Sequence, residues 1–128
     1  MSKRLIYHMC KRSDWQKAEE KGFYQGSVGD RVDGFLHFST AQQVAESAAR
    51  HLADVEDLVL ITVDANDFGP SLKWELSRSD QLFPHLYGSL VVAKVISVCD
   101  LSLAEDGFHR FPDDIIPWRP GVGEGIND

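Results

Sequence analysis

Cysteine is scarce in this 128-residue chain: only Cys10 and Cys99 occur, each inside an apolar stretch. That excludes a disulfide framework and a paired-thiolate zinc site, and leaves two reduced core thiols as the expectation. Long hydrophobic runs are also missing. Nothing approaches the ~20 apolar residues that span a bilayer, and the first residues reach His8 after only three apolar side chains, so no signal-peptide apolar region is present. The expectation is a cytoplasmic protein with no membrane association. Basic charge is in deficit, with a net charge of −7, which opposes binding to a long RNA or DNA. Glycine-rich phosphate loops, a Gly-x-Ser-x-Gly elbow, a His-x-His pair and a glutamate-bearing zinc helix are absent. No metal is expected.

What is there suffices for one folded domain over residues 1–128. Hydrophobic residues make up 43% and charged residues 26%, close to the globular average, and a chain of this length buries a substantial core. Charge is uneven: residues 1–21 hold six basic and three acidic side chains, so the acidic excess lies in the remainder. A small anionic ligand near the N-terminal strand fits that asymmetry.

Leu5 to Cys10 reads as a strand, followed by a helix opened by Ser13 and Gln16 at capping-box spacing and ended by Gly22. Tyr24 to Val32, with Gly26, Gly29 and Asp30, reads as a loop. Asp33 to Ser39 reads as a strand buried on both faces, with Phe35, His37 and Ser39 on one and Leu36 and Phe38 on the other. A second helix from about Thr40, which is expected to cap it, carries Ala41, Val44, Ala45, Ala48, Ala49 and Leu52 as an apolar stripe. Leu58 to Val63 is apolar throughout and reads as the central strand. Leu72–Leu76 and Val91–Val98 are further strands. Residues 99–128, with Pro112, Pro117, Pro120 and three late glycines, read as an irregular C-terminal wrap whose Phe108, Phe111, Ile115, Ile116 and Trp118 pack back. The class is α+β.

Three histidines sit among aromatics on or beside strands: His8 in Ile-Tyr-His, His37 in Gly-Phe-Leu-His-Phe-Ser, and His85 in Phe-Pro-His-Leu-Tyr-Gly. An imidazole both donates and accepts hydrogen bonds and titrates near neutrality, so it can move a proton or hold a ribose or phosphate oxygen. One such histidine alone is more readily a bonded core residue; three together point to a pocket. His51 and His109 read as surface groups. Ser39 either caps the second helix or turns toward a ligand, and Tyr87 beside Gly88 offers a ring and a hydroxyl. Glu75 beside Trp74 is either a solvated strand-face group or a carboxylate whose pKa an apolar wall raises. Lys11 and Arg12 are candidates for a phosphate contact.

These residues, in this order, resemble a small bacterial family of uncharacterised proteins, the domain-of-unknown-function 952 family. The pattern is carried by Ile6-Tyr7-His8, Trp15, Tyr24, Gly34 to Ser39, Gln43, Asp57 to Leu60, Trp74-Glu75 and Phe83 to Gly88, over about residues 4–98. That family is similar to a distant branch of the ADP-ribosyltransferase fold, which implies split antiparallel sheets with two helices packed on them and NAD or ADP-ribose bound in the cleft between. By position the resemblance implies that His8, with Tyr7, holds the nicotinamide-side ribose, that His37 and Ser39 form the second-strand motif, and that His85 or Tyr87 stands at the third. Many transferases carry a glutamate at that third position, whereas Glu75 lies a strand earlier. The implied function is an NAD- or ADP-ribose-linked transferase or hydrolase of a small molecule, with His37, His85 and Tyr87 catalytic and with His8, Tyr7, Ser39, Lys11 and Arg12 binding the nucleotide. A non-catalytic nucleotide- or metabolite-binding module and a metal-dependent hydrolase are the alternatives.

Overall fold

The computed structural model describes residues 2–118. In chain order it contains β1 (Leu5–Lys11), α1 (Arg12–Lys21), β2 (Phe23–Tyr24), α2 (Val28–Asp33), β3 (Leu36–His37), α3 (Val44–His51), β4 (Leu58–Asp64), β5 (Leu72–Leu76), β6 (Leu82–Leu86), β7 (Leu90–Val91), β8 (Val95–Leu103) and β9 (His109–Arg110). The strands pair antiparallel throughout, as a four-stranded sheet in the order β1-β4-β8-β9, a three-stranded sheet β3-β6-β5, and the short pair β2-β7. The chain is therefore α+β, as its pattern predicts. Among the described residues no helix is long and apolar enough to cross a membrane.

β4 is buried along its whole length because both faces of its sheet are covered. Val59, Ile61 and Val63 point to one core with Ile6, Cys10, Trp15 and Ala18, and Leu58 and Leu60 point to the other with Tyr7, Val44, Ala45 and Ile115. A strand enclosed in this way has no polar side to alternate with, which is why its sequence is an unbroken apolar run. The small side chains of α3 sit against the second face, beside Phe111 and Trp118 of the tail.

The two larger sheets meet at one place. Tyr7 and Ser39 exchange backbone hydrogen bonds of 2.8 Å in each direction, an isolated bridge between β1 and the chain leaving β3. Strands of both sheets border the cavity described below.

Several sequence expectations are corrected by this arrangement. The Ser13–Gln16 capping box does not form; α1 starts at Arg12 with no side-chain cap. The stretch read as a loop carries a third helix, α2, and the capping box is there, with Ser27 accepting from the Asp30 N–H and Asp30 accepting from the Ser27 N–H. Thr40 does not cap α3, whose N-cap is Gln43 without a side-chain bond. The Phe35–His37 face of β3 is not buried: His37 is exposed and Phe35 half-buried, while Leu36 and Phe38 are core. Residues 99–118 are not wholly irregular, since β8 runs through to Leu103 and pairs with β9. His109 is buried, not a surface group, and its Nε2 lies 2.7 Å from the Val55 carbonyl. Ile116 is exposed although Ile115 is buried. Pro120 and the glycines at 121, 123 and 125 lie outside the described residues.

Candidate functional site

Strand periodicity assembles the site. On the three-stranded sheet His37 stands directly opposite His85, and Glu75 stands opposite Phe83. Residues two apart share a face, so Glu75 of β5, His85 of β6 and Tyr87 just after it lie on one side of the sheet, together with His37 of β3 and Phe35 just before it. The His37 and His85 rings meet edge to face with centroids 5.5 Å apart. Phe35 stacks on His85 at 4.1 Å and also touches His37 and Tyr87. His8 enters from β1 across the gap, wedged between Tyr24 and Phe38.

All three imidazoles line one cavity of about 430 Å³. That is within the ~300–1,000 Å³ usual for small-molecule sites. Its walls come from β1, α2, β3, α3, the Ser77–Arg78 turn and β6.

Each histidine has a different role fixed by its partners. His8 lies with Nδ1 2.7 Å from the His37 carbonyl and Nε2 2.8 Å from the Tyr24 hydroxyl. A carbonyl only accepts, so Nδ1 carries the proton and Nε2 takes the Tyr24 O–H. Burial lowers the His8 pKa despite Asp30 nearby, and the ring is neutral. His37 is the opposite case: Nδ1 is 2.6 Å from Asp30 Oδ1 and Nε2 is 3.0 Å from Asp33 Oδ2. Two carboxylates need two N–H donors, so this ring is an imidazolium, its pKa raised first by the hydrogen bond to Asp30. In turn, burial would raise the Asp30 carboxyl, but the hydrogen bonds from His37 and from the Ser27 backbone outweigh it and hold it well below the usual carboxylate range.

His85 is a third type. Its Nδ1 is 2.8 Å from Glu75 Oε1, and the Tyr87 hydroxyl donates to the same oxygen at 2.8 Å. Nδ1–H therefore points at the carboxylate, and Nε2 has no protein partner among the described residues. A carboxylate that holds one ring nitrogen and leaves the other without a protein partner is an arrangement a general base can use. The His85 and Tyr87 hydrogen bonds hold the Glu75 pKa down. This corrects the idea that an apolar wall raises it.

The other sequence-predicted residues divide. Ser39 is buried on the cavity wall, with its hydroxyl 3.1 Å from that of Ser47 rather than capping α3. Tyr7 borders the cavity, but its hydroxyl is buried toward Asp114, and both effects raise its pKa. Tyr87 is not among the residues that line the cavity; its hydroxyl bonds to Glu75, and the Lys73 ammonium lies over its ring. Lys11 and Arg12 do not line the cavity: Lys11 donates to the Glu56 carbonyl, and Arg12 pairs with Asp57 and Asp100. The guanidinium that does line it is Arg78.

Asp30, Asp33 and Arg78 escaped the sequence reading. Ser27-Val-Gly-Asp30 has the spacing of a capping box and could have flagged Asp30. Nothing local marks Arg78. Among the described residues no group of three or more His, Cys, Asp or Glu side chains is placed to hold a metal ion.

Known structures share this architecture. The crystal structure of protein CC0527 from Caulobacter crescentus is 42% identical and superposes with a TM-score of 0.81, covering 83% of this chain and 93% of that one. The solution structure of the same protein gives a TM-score of 0.74 over 81% and 90% of the two chains. No curated protein matches. The family described as Protein of unknown function (DUF952) matches residues 9–98, from the residue after His8 to within β8, and this chain belongs to that family.

Proposed function

We propose that this protein binds NAD or an ADP-ribose derivative in the histidine-lined cleft and transfers or hydrolyses at the ribosyl carbon that carries nicotinamide. The reading rests on one observation: His8, His37 and His85, from three separate strands, line a single cavity bordered by two separate antiparallel sheets. That arrangement, with one histidine from each of three strands, is also what supports a distant kinship with the ADP-ribosyltransferase fold.

Breaking a nicotinamide–ribose bond develops positive charge on the sugar, so a site for it needs a clamp, negative charge nearby and a base for the acceptor. Asp30 and Asp33 supply negative charge, already ordered by His37. His85 Nε2 takes the proton of the attacking hydroxyl or water while Glu75 holds the resulting imidazolium. His8, neutral and fixed at both nitrogens, fills the floor of the cleft and sets its shape.

Titration of the whole protein with NAD and with ADP-ribose by calorimetry, with imidazole NMR signals followed in parallel, tests this. Heat of binding and shifts of the His37 and His85 signals are expected, with nicotinamide released from NAD. No heat and no shift would overturn it. A second reading, a binding module without turnover, draws support from His37, whose two nitrogens are both committed to carboxylates. It requires binding of intact NAD, no nicotinamide release, and unchanged affinity in His85→Gln.

A further inference from the structure

Arg78 shares its carboxylate partner with a second cation. Its side chain is only 19% exposed, and its carboxylate neighbour among the described residues is Glu46, whose Oε2 is 3.6 Å from Arg78 Nε and 2.6 Å from Arg50 Nε. At 3.6 Å no hydrogen bond forms. What Arg78 does make is one 3.3 Å bond to the Ser47 hydroxyl and a cation–π contact with Phe83 at 4.9 Å. A guanidinium has five N–H donors, and a mostly desolvated charge with so few partners is costly unless something anionic completes it.

Its surroundings match an oxyanion. The Ser47 hydroxyl that Arg78 touches lies 3.1 Å from the Ser39 hydroxyl, and all three residues line the same cavity. The turn carrying Arg78 is held at a conformational cost, since Ser79 and Asp80 both have positive φ (57° and 58°) without being glycine. It is tied to the start of α3 by the buried Gln43, whose amide donates to the Leu82 carbonyl and to Gln81. The turn so anchored places Arg78 on the cavity wall. Asp30 and Asp33 line the same cavity but are bound to His37.

We propose that Arg78, with the Ser39 and Ser47 hydroxyls, is an anion subsite of the cleft that receives a phosphate or diphosphate group. This deepens the NAD reading and rests on it for the identity of the substrate: the cleft then takes a phosphorylated ribosyl compound with its phosphate on Arg78 and its glycosidic carbon by His85. The subsite itself stands on Arg78 and the two hydroxyls, independent of the NAD reading.

The test uses inorganic pyrophosphate and ribose 5-phosphate, with ribose as the uncharged control, titrated into the whole protein by NMR. Pyrophosphate and ribose 5-phosphate are expected to shift the Arg78 Nε–H signal and the Ser39 and Ser47 amides, whereas ribose leaves them unmoved. Arg78→Gln should weaken pyrophosphate at least tenfold, and Arg78→Lys, which keeps the charge but not the fork, should fall between. Pyrophosphate that leaves these signals in place, or that binds Arg78→Gln as well as the parent, would overturn the subsite. Phosphate binding without any response to NAD keeps the subsite and removes the NAD reading; NAD turnover with the same KM in Arg78→Gln does the reverse.

Discussion

Three imidazoles of one residue type do three different things here, and the difference lies in what each nitrogen faces. His8 meets a carbonyl and a hydroxyl and stays neutral; His37 meets two carboxylates and is charged; His85 meets one carboxylate and keeps a free nitrogen. In the proposed mechanism Glu75 acts through His85, as a positioning residue. Glu75→Gln preserves shape but cannot demand an N–H at Nδ1, so the favoured tautomer is lost. If His85 is the base, Glu75→Gln should lower kcat with little change in KM, by up to the ~10²–10⁴-fold that general acid–base catalysis contributes. His85→Gln should match that loss, and the pH–rate profile of Glu75→Gln should shift, which a merely structural effect would not produce. Equal kcat in Glu75→Gln and the parent would remove the pair from the mechanism. Legibility at this scale was partial: each histidine stood out by its aromatic neighbours, whereas its charge state depends on partners distant in sequence.

Among the elements, α2 bears most directly on the cleft. It has six residues, too few to be stable alone, and it is positioned by Asp30 and Asp33, which grip both sides of the His37 ring, and by the 3.1 Å bond from the His37 N–H to Asp30. Gly26 at φ 94° lies so close to Asp30 and Leu36 that a Cβ there would come within 2.6 Å of both, so this approach belongs to glycine. The clamp sets a pH window. The His37 pKa is raised on folding, so its stabilisation is complete below the ordinary histidine value, about 6.5, and is lost as pH rises through the raised value. The Asp30 pKa is depressed, so its share is present above about 3.9 and is lost as pH falls through the lowered value. Hydrogen exchange of the α2 amides should therefore be slow at mildly acidic pH and accelerate as His37 deprotonates. In Asp33→Asn that acceleration should move to lower pH. An α2 exchange profile with no inflection of its own would show that the clamp does not hold the helix.

Across the whole molecule, two cores flank one four-stranded sheet, and Cys10 reports on the first of them. Its thiol is buried among Ile6, Trp15 and Tyr24, and burial pushes its pKa up to about 12. A thiol that is neither accessible nor ionised does not react. A thiol reagent at neutral pH should label Cys10 only through global unfolding, at a rate that rises with denaturant as the unfolding rate does. Cys99, half-buried on β8, is the internal comparison and should label sooner. Labelling of Cys10 at the Cys99 rate in the native protein would mean that the first core opens locally.

Patterns short in sequence carried most of the fold. Period-two alternation and an unbroken apolar run placed β1, β4, β5 and the start of β8, because strand faces follow from the pleat alone. The alanine-rich stripe of α3 was equally plain. What the sequence by itself determined was therefore the α+β class, the central strand and three conspicuous histidines. α2 was hidden because two glycines and a short length resemble a loop, and the tail strand β9 because two residues carry no period. Only the tertiary structure decided that His37 faces His85 across β3 and β6, that Glu75 reaches His85 from the next strand, and that Arg78 is the cation on the cavity wall in place of Lys11 or Arg12. Those facts depend on strand order and register, which are set by long-range pairing and by the depth at which each charge is desolvated, and neither quantity is written in any local run of residues.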